Sequence, residues 1–309
     1  MKNFTYTIII PHKNIPSLLQ RCLDSIPLRD DIQIIVVDDN SDSSIVDFKQ
    51  FPGYNRINTE IYLTKENKGA GYARNVGITY AKGTWIIFAD ADDFFTPNLL
   101  SICDSYKDSI YDMIIFDTCS AFSDSLQETE KREDIIDSYL NKLDENILRY
   151  VSHTVWGKMF RRKIISDNHI LCDEVAASND VLFAGLMGLY AKAIKFDNRI
   201  GYCCTIRSGS ICTKLSLTNI SARIFVARKF NSILKMHHIP TKYWMNLVGP
   251  LTNLFRVNKK LFIKESIKYF FTTPISRIIL DLSESGKRYI DRRFGKNKDK
   301  EMRKIQRYQ

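Results

Sequence analysis

The sequence contains no CxxC pair. Its seven cysteines (Cys22, Cys103, Cys119, Cys172, Cys203, Cys204 and Cys212) are odd in number and irregularly spaced. That argues against a disulfide framework and a cysteine-type zinc site, and leaves buried thiols of a reducing compartment. Among five histidines, His12, His153 and His169 show no ligand spacing, and no G-x-S-x-G occurs. Zincin and serine-hydrolase readings therefore gain no support. No window offers the roughly 20 apolar residues needed to span a bilayer. The best, Leu261–Leu280, is interrupted by Lys264, Glu265, Lys268, Pro274 and Arg277. The stretch after Met1 lacks the regions of a secretory signal. Internal repeats and low-complexity tracts are absent too. The expectation is a soluble cytoplasmic protein, with the option of lying peripherally on the inner face of the plasma membrane.

What is present begins with an uneven charge. Of 309 residues, 45 are Lys or Arg and 35 are Asp or Glu, a net of +10. Residues 1–215 hold 24 basic and 29 acidic groups, whereas residues 216–309 hold 21 and 6. An acidic body thus carries a basic C-terminal third. We expect a catalytic domain over 1–215 and a helical basic region over 216–309. A nucleic-acid partner would use such a patch. No nucleic-acid motif accompanies it, and none is expected to bind.

The first 117 residues alternate in period. Thr5–Ile10, Ile32–Val37, Ile57–Leu63, Trp85–Ala89 and Met113–Phe116 read as strands, mostly short apolar runs rich in β-branched residues. Helical faces recur at Ser17–Ile26, Ala70–Ala81 and Pro97–Tyr106 between them. This pattern predicts an α/β fold with a mostly parallel, mixed central sheet covered by helices on both faces. Beyond 117 the expectation is a polar loop, a helix over 134–150, strands at Val155–Phe160, Ala193–Phe196 and Gly201–Ile206, and a helix over Asn179–Leu189. From about Ser216 basic helices follow, with turns at Pro240, Pro250 and Pro274 and a weakly ordered tail from Gly286.

Ligands of open α/β sheets sit beyond the carboxyl ends of the strands. Polar residues cluster there: His12-Lys13-Asn14, Asp38-Asp39-Asn40-Ser41, and Asp90 to Asp93. Two carboxylates one residue apart at a strand end suit a hard cation such as Mn2+ or Mg2+, which can neutralise a diphosphate leaving group. A solvated acidic turn would look the same in isolation. Asp38-Asp39 fits either a nucleoside contact or an Asx turn. Gly69-Ala70-Gly71 imitates a dinucleotide loop, but Arg74 occupies the sixth position and the third strand precedes it, so a nicotinamide cofactor is rejected. Arg74 is suited to pair with Asp92 or a phosphate. Asp180, opening a helix, is either an N-cap or a base held ionised by the helix start.

Together these segments resemble glycosyltransferase family 2, the inverting nucleotide-sugar transferases of GT-A fold. The resemblance rests on ordered blocks: TIIIPHKN, LLQRCLDSI, QIIVVDDNSDSS, NKGAGYARNVGITYAKGTWIIFADADD, VWGKMFRRKII, SNDVLF and IRSGSI. It covers roughly residues 4–212. It implies that Pro11 borders the nucleotide, Asp39 contacts the base, and Asp90 approaches the ribose or metal. It further implies that Asp92 binds the metal bridging the diphosphate and that Arg207 lies near the phosphates. Asp180 would match the catalytic base, and Trp156, Lys158 and Asn179 the acceptor side. The implied partners are a nucleotide-sugar donor, UDP-linked by preference, and a glycan or lipid-linked acceptor of envelope polysaccharide. The basic helices would face an anionic membrane surface, with a helical lid or a homodimer surface bearing a solvated basic face as the alternative. Two positions depart from the family pattern. Asn179 stands where Glu is usual, and His12-Lys13 follows Pro11. The first keeps open a non-catalytic sugar-nucleotide-binding homologue.

Overall fold

The computed structural model describes residues 3–129, 135–207 and 215–294, with backbone alone over 288–294. The chain divides into two compact units at Lys214/Leu215.

In the first unit, strands β1 (Tyr6–His12), β2 (Ile32–Asp39), β3 (Thr59–Thr64) and β4 (Trp85–Phe88) form the parallel part of the sheet. Helices α1 (Pro16–Asp24) and α2 (Ala70–Tyr80) connect them. Every residue of β1 and β2 is buried. Alternate side chains feed two cores: Ile8 and Ile10 pack on one face, and Ile9 on the other. A strand buried on both faces is why these segments read as unbroken apolar runs.

The other half of the sheet is mixed. Strand β5 (Phe94–Phe95) precedes α3 (Leu99–Tyr106) and β6 (Met113–Phe122), which pairs with the short β7 (Glu128–Thr129). Then come α4 (Ile135–Lys142), α5 (Glu145–Tyr150), β8 (Lys158–Arg161), α6 (Arg162–Asp167), α7 (Val181–Tyr190) and β9 (Ile194–Ile206). The sheet order is β3-β2-β1-β4-β8-β6-β9-β5. β8 runs antiparallel between β4 and β6, while β6 and β9 pair in parallel.

Three local expectations change here. The expected helix over 134–150 is two helices, the second capped by Asp144 accepting from the Asn146 N–H. The two expected strands at 193–206 are one, because a register shift opposite Asp117 takes up Asn198 and Arg199. Asp197 folds that bulge by accepting from the Arg199 N–H at 2.9 Å. Pro250 is no turn. It is the third residue of α9 (Val248–Val257), where a proline costs no helical hydrogen bond.

The second unit packs α8 (Leu217–Met236), α9, α10 (Lys259–Thr272) and α11 (Ile275–Phe294) around Ile220, Ile224, Leu247, Leu254 and Tyr269. The expected weak tail begins inside α11, and its part beyond 294 lies outside the described residues. Among the described residues no helix is long and apolar enough to cross a membrane.

Candidate active site

The carboxyl ends of β1, β2 and β3 carry three loops that the sequence folds by local rules. Asn14, Asn40 and Asn67 sit at φ 57°, 58° and 53°, the left-handed region that asparagine tolerates. Gly69, with φ 90°, starts α2 in a conformation that excludes a side chain. His12 Nδ1 lies 2.7 Å from Asp38 Oδ2, and Ser41 donates to the same carboxylate from N–H and Oγ. Burial pushes the Asp38 carboxyl up, but the His12 and Ser41 bonds outweigh it and hold the group below its ordinary value.

Asp39 is only 3 % exposed, and its two oxygens accept from the Lys68 and Gly69 N–H groups at 3.0 and 2.8 Å. It anchors the loop ahead of α2. Pro11 is buried at the end of β1, beneath this rim.

The acidic turn after β4 is the centre of the site. One carboxylate oxygen each of Asp90, Asp92 and Asp93 lies within 4.8 Å of the others. Like charges this close repel strongly unless paired or protonated. Arginine pairs hold two of them, and burial takes the third. Arg74 donates to Asp90 Oδ1 at 2.5 Å, and Arg207 to Asp92 Oδ2 at 2.8 Å. Asp93 is buried. It accepts from Tyr202 Oη at 2.7 Å and from the Thr205 N–H at 2.6 Å. Burial first, then Asp90 and Asp92, push its carboxyl well above the ordinary range. Arg21 of α1 clamps the turn from outside, reaching the Asp92 carbonyl oxygen at 2.5 Å.

Arg74 also reaches Asn179, donating to Oδ1 at 2.6 Å. One guanidinium, 4 % exposed, therefore ties the turn after β4 to the start of α7. The expected Arg74–Asp92 pair is replaced by Arg74–Asp90, and Arg207 takes Asp92. Asp180 follows at the N-cap position of α7, yet its side chain accepts no capping bond. The capping alternative thus fails. Burial raises the Asp180 carboxyl and Asp90 raises it further, while Arg74 and, less strongly, Lys158 pull it back.

Trp156 and Lys158, the residues expected on the acceptor side, are both buried. Trp156 is buried and stacks on Tyr202 with ring centroids 5.6 Å apart. Lys158 is 2 % exposed, and its ammonium donates to the carbonyls of Ser152 and Thr154. Both support the site from beneath. The burial of Lys158 leaves no mark in the sequence. Arg21, Asp93 and Tyr202 were given no role from the sequence. Asp93 alone carried a signal there, as the third acid of its turn.

Residues 7–168, just over half of the chain, match the family model described as glycosyl transferase family 2. The chain belongs to that family. It is similar to the poly(ribitol-phosphate) beta-glucosyltransferase of Bacillus spizizenii, 28% identical over 208 residues, 63% of this chain and 31% of that protein. Among solved structures it resembles Staphylococcus aureus TarS 1-349 in complex with UDP-GlcNAc, with TM-score 0.62 and 19% identity over 88% of this chain and 77% of that one. It also resembles the mannosyltransferase PcManGT of Pyrobaculum calidifontis in complex with GDP-Man and Mn2+, with TM-score 0.56 and 13% identity over 92% of this chain and 80% of that one. At these identities the likeness carries the GT-A fold. The chain spans 59% of one curated relative's length and 31% of two others'.

Proposed function

We propose that this family 2 chain transfers a sugar, with inversion, from a nucleotide-diphosphate sugar to a hydroxyl of an envelope glycan. A UDP-sugar is the favoured donor, and a cell-wall polyol-phosphate or polysaccharide chain the favoured acceptor. The relatives named for poly(ribitol-phosphate) transfer and the fold neighbour holding UDP-GlcNAc support that choice.

The observation that carries the reading is the pair of hydrogen bonds that Arg74 donates, one to Asp90 and one to Asn179. It brings a diphosphate-facing acidic turn and a candidate base into one electrostatic unit. In the reaction, Asp180 accepts the proton of the acceptor hydroxyl. The freed oxygen forms its bond to the anomeric carbon as the bond from that carbon to the diphosphate oxygen breaks. A carboxylate raised by burial and free of a capping bond suits a general base. Arg207 lies beside Asp92, in reach of a diphosphate arriving there.

The donor set fits a hard divalent cation: Asp90 and Asp92 offer carboxylate oxygens, and Asp93 is already engaged by Tyr202 and Thr205. When bound, Mn2+ or Mg2+ would neutralise charge on the leaving diphosphate. Asn179 in place of a glutamate keeps an acceptor for Arg74 without adding charge beside Asp180, so activity is expected. The test is transfer or slow hydrolysis across a panel of nucleotide sugars with Mn2+, Mg2+ or chelator. Asp180→Asn is expected to lower turnover by at least ~10²-fold while nucleotide-dependent thermal stabilisation persists. Wild-type turnover in that variant would refute the base assignment.

A further inference from the structure

Helices α10 and α11 turn large apolar side chains outward, away from the faces they pack. On α10, Ile263, Ile267, Phe270 and Phe271 are exposed, an i, i+4, i+7, i+8 row along one side. On α11, Ile275, Ile279 and Leu282 repeat the pattern. Phe271 is 87% exposed and Ile275 is 76% exposed. The opposite sides of both helices meet at Tyr269, which donates to Asp281 at 2.6 Å. The outward rows are therefore a second apolar surface, separate from the unit's core. Rows of exposed large apolar side chains of this kind mark a docking site.

Charge decides the occupant. Lys259, Lys260, Lys264 and Lys268 share α10 with the apolar row, and all are exposed. Through residue 287 this unit has three acidic groups: Glu265, Asp281 and Glu284. Arg228 pairs with the first, and Arg277 with the other two. Among the described residues, none of the four lysines forms an ion pair with an acidic group. A symmetric contact between two copies would set these lysine rows against each other. A lipid surface bearing phosphate headgroups accepts both features at once, because the lysine stems extend past the apolar row to the headgroups.

We propose that the outer face of α10 and α11 docks on a bilayer containing anionic phospholipid, with Phe270, Phe271 and Ile275 entering the acyl boundary. This is independent of the transfer chemistry. The test is co-sedimentation of the full chain with phosphatidylcholine vesicles, with and without phosphatidylglycerol. Binding should require phosphatidylglycerol and weaken with added salt. Phe270→Ser/Phe271→Ser and Lys260→Gln/Lys264→Gln/Lys268→Gln should each weaken it ~10-fold or more, with thermal unfolding unchanged. Should the phenylalanine variant unfold, the lysine variant decides alone. Failure to bind phosphatidylglycerol vesicles, or undiminished binding by the folded variants, overturns the proposal. So does a lipid-free dimer in sedimentation equilibrium that Phe270→Ser/Phe271→Ser dissolves, since that assigns the face to a second copy.

Discussion

Replacing Arg74 with methionine tests the electrostatic design of the site more sharply than removing any carboxylate. Methionine keeps much of the stem's volume and deletes only the guanidinium. Two partners lose it at once: Asp90 Oδ1 at 2.5 Å and Asn179 Oδ1 at 2.6 Å. Breaking a buried pair from one side costs about 3–5 kcal/mol, because a charge is left behind. The Asp90 side chain is 30% exposed, however, so water recovers part of that. We expect a loss of roughly 2–3 kcal/mol, or roughly 5–10 °C in the melting temperature of this unit. A second effect is separable from the first. Arg74 is the largest influence holding the Asp180 carboxyl down against burial. Without it Asp180 stays protonated to a higher pH. The acid limb of the pH profile of kcat/KM should therefore move to higher pH. Arg74→Met/Asp90→Asn should regain stability, because no unpaired charge remains, without regaining activity. The reasoning fails if Arg74→Met melts with wild type, or if its acid limb stays in place or moves to lower pH.

Two further outcomes follow from local geometry and titration. A Cβ on Gly71 would lie 2.1 Å from the Asp173 carbonyl oxygen and 3.0 Å from Asn179 Cβ. Gly71→Ala should cost about 1–3 kcal/mol in thermal unfolding and reduce turnover by displacing the start of α7; unchanged turnover would count against that coupling. His153 is held down to about 4, by burial first and then by Lys158. The folded state thus keeps this ring neutral where the unfolded chain protonates it, so stability is intact above about pH 6.5 and falls as the pH drops toward 4. The shift corresponds to at most about 3 kcal/mol, discounted to about 2 because the ring is partly exposed. His153→Gln should flatten that acid decline, and an unchanged slope between pH 6.5 and 4 would assign it to other groups.

The sheet was legible where its strands are buried on both faces. β1, β2 and β4 are apolar runs that no helix period explains. β6 extends six residues past its apolar run because Asp117, Thr118 and Ser120 interrupt the apolar pattern, while pairing with β9 resumes beyond the bulge at Asp117. β9 looked divided because its bulge contains Asp197, Asn198 and Arg199. The acids of the site were visible as types at strand ends, but their partners were not. Arg74 and Asn179 are 105 residues apart, and Arg207 and Asp92 are 115 apart. Nothing in local spacing distinguishes Asp39, spent on two loop amides, from Asp90 and Asp92, which face arginines. The Asx-turn alternative described Asp38 better than Asp39: Asp38 accepts from the Ser41 N–H, three residues on.

One rule of charge pairing produces two opposite surfaces. In the first unit, acids outnumber bases, and the acidic turn is stable because Arg21, Arg74 and Arg207 converge on it from α1, α2 and the end of β9. Those arginines offset the local repulsion without removing the carboxylates from reach, which suits the proposed diphosphate donor. In the second unit, Arg228 and Arg277 consume every acid through residue 287. The lysines of α10 are left as surplus beside an apolar row. A lysine surplus spread evenly over a surface would serve solubility alone. Concentrated on the helix that also exposes Phe270 and Phe271, it gives that face the amphipathic character of an interfacial helix. The net charge of +10 is thus the residue of two separate arrangements. Neither calls for a nucleic acid.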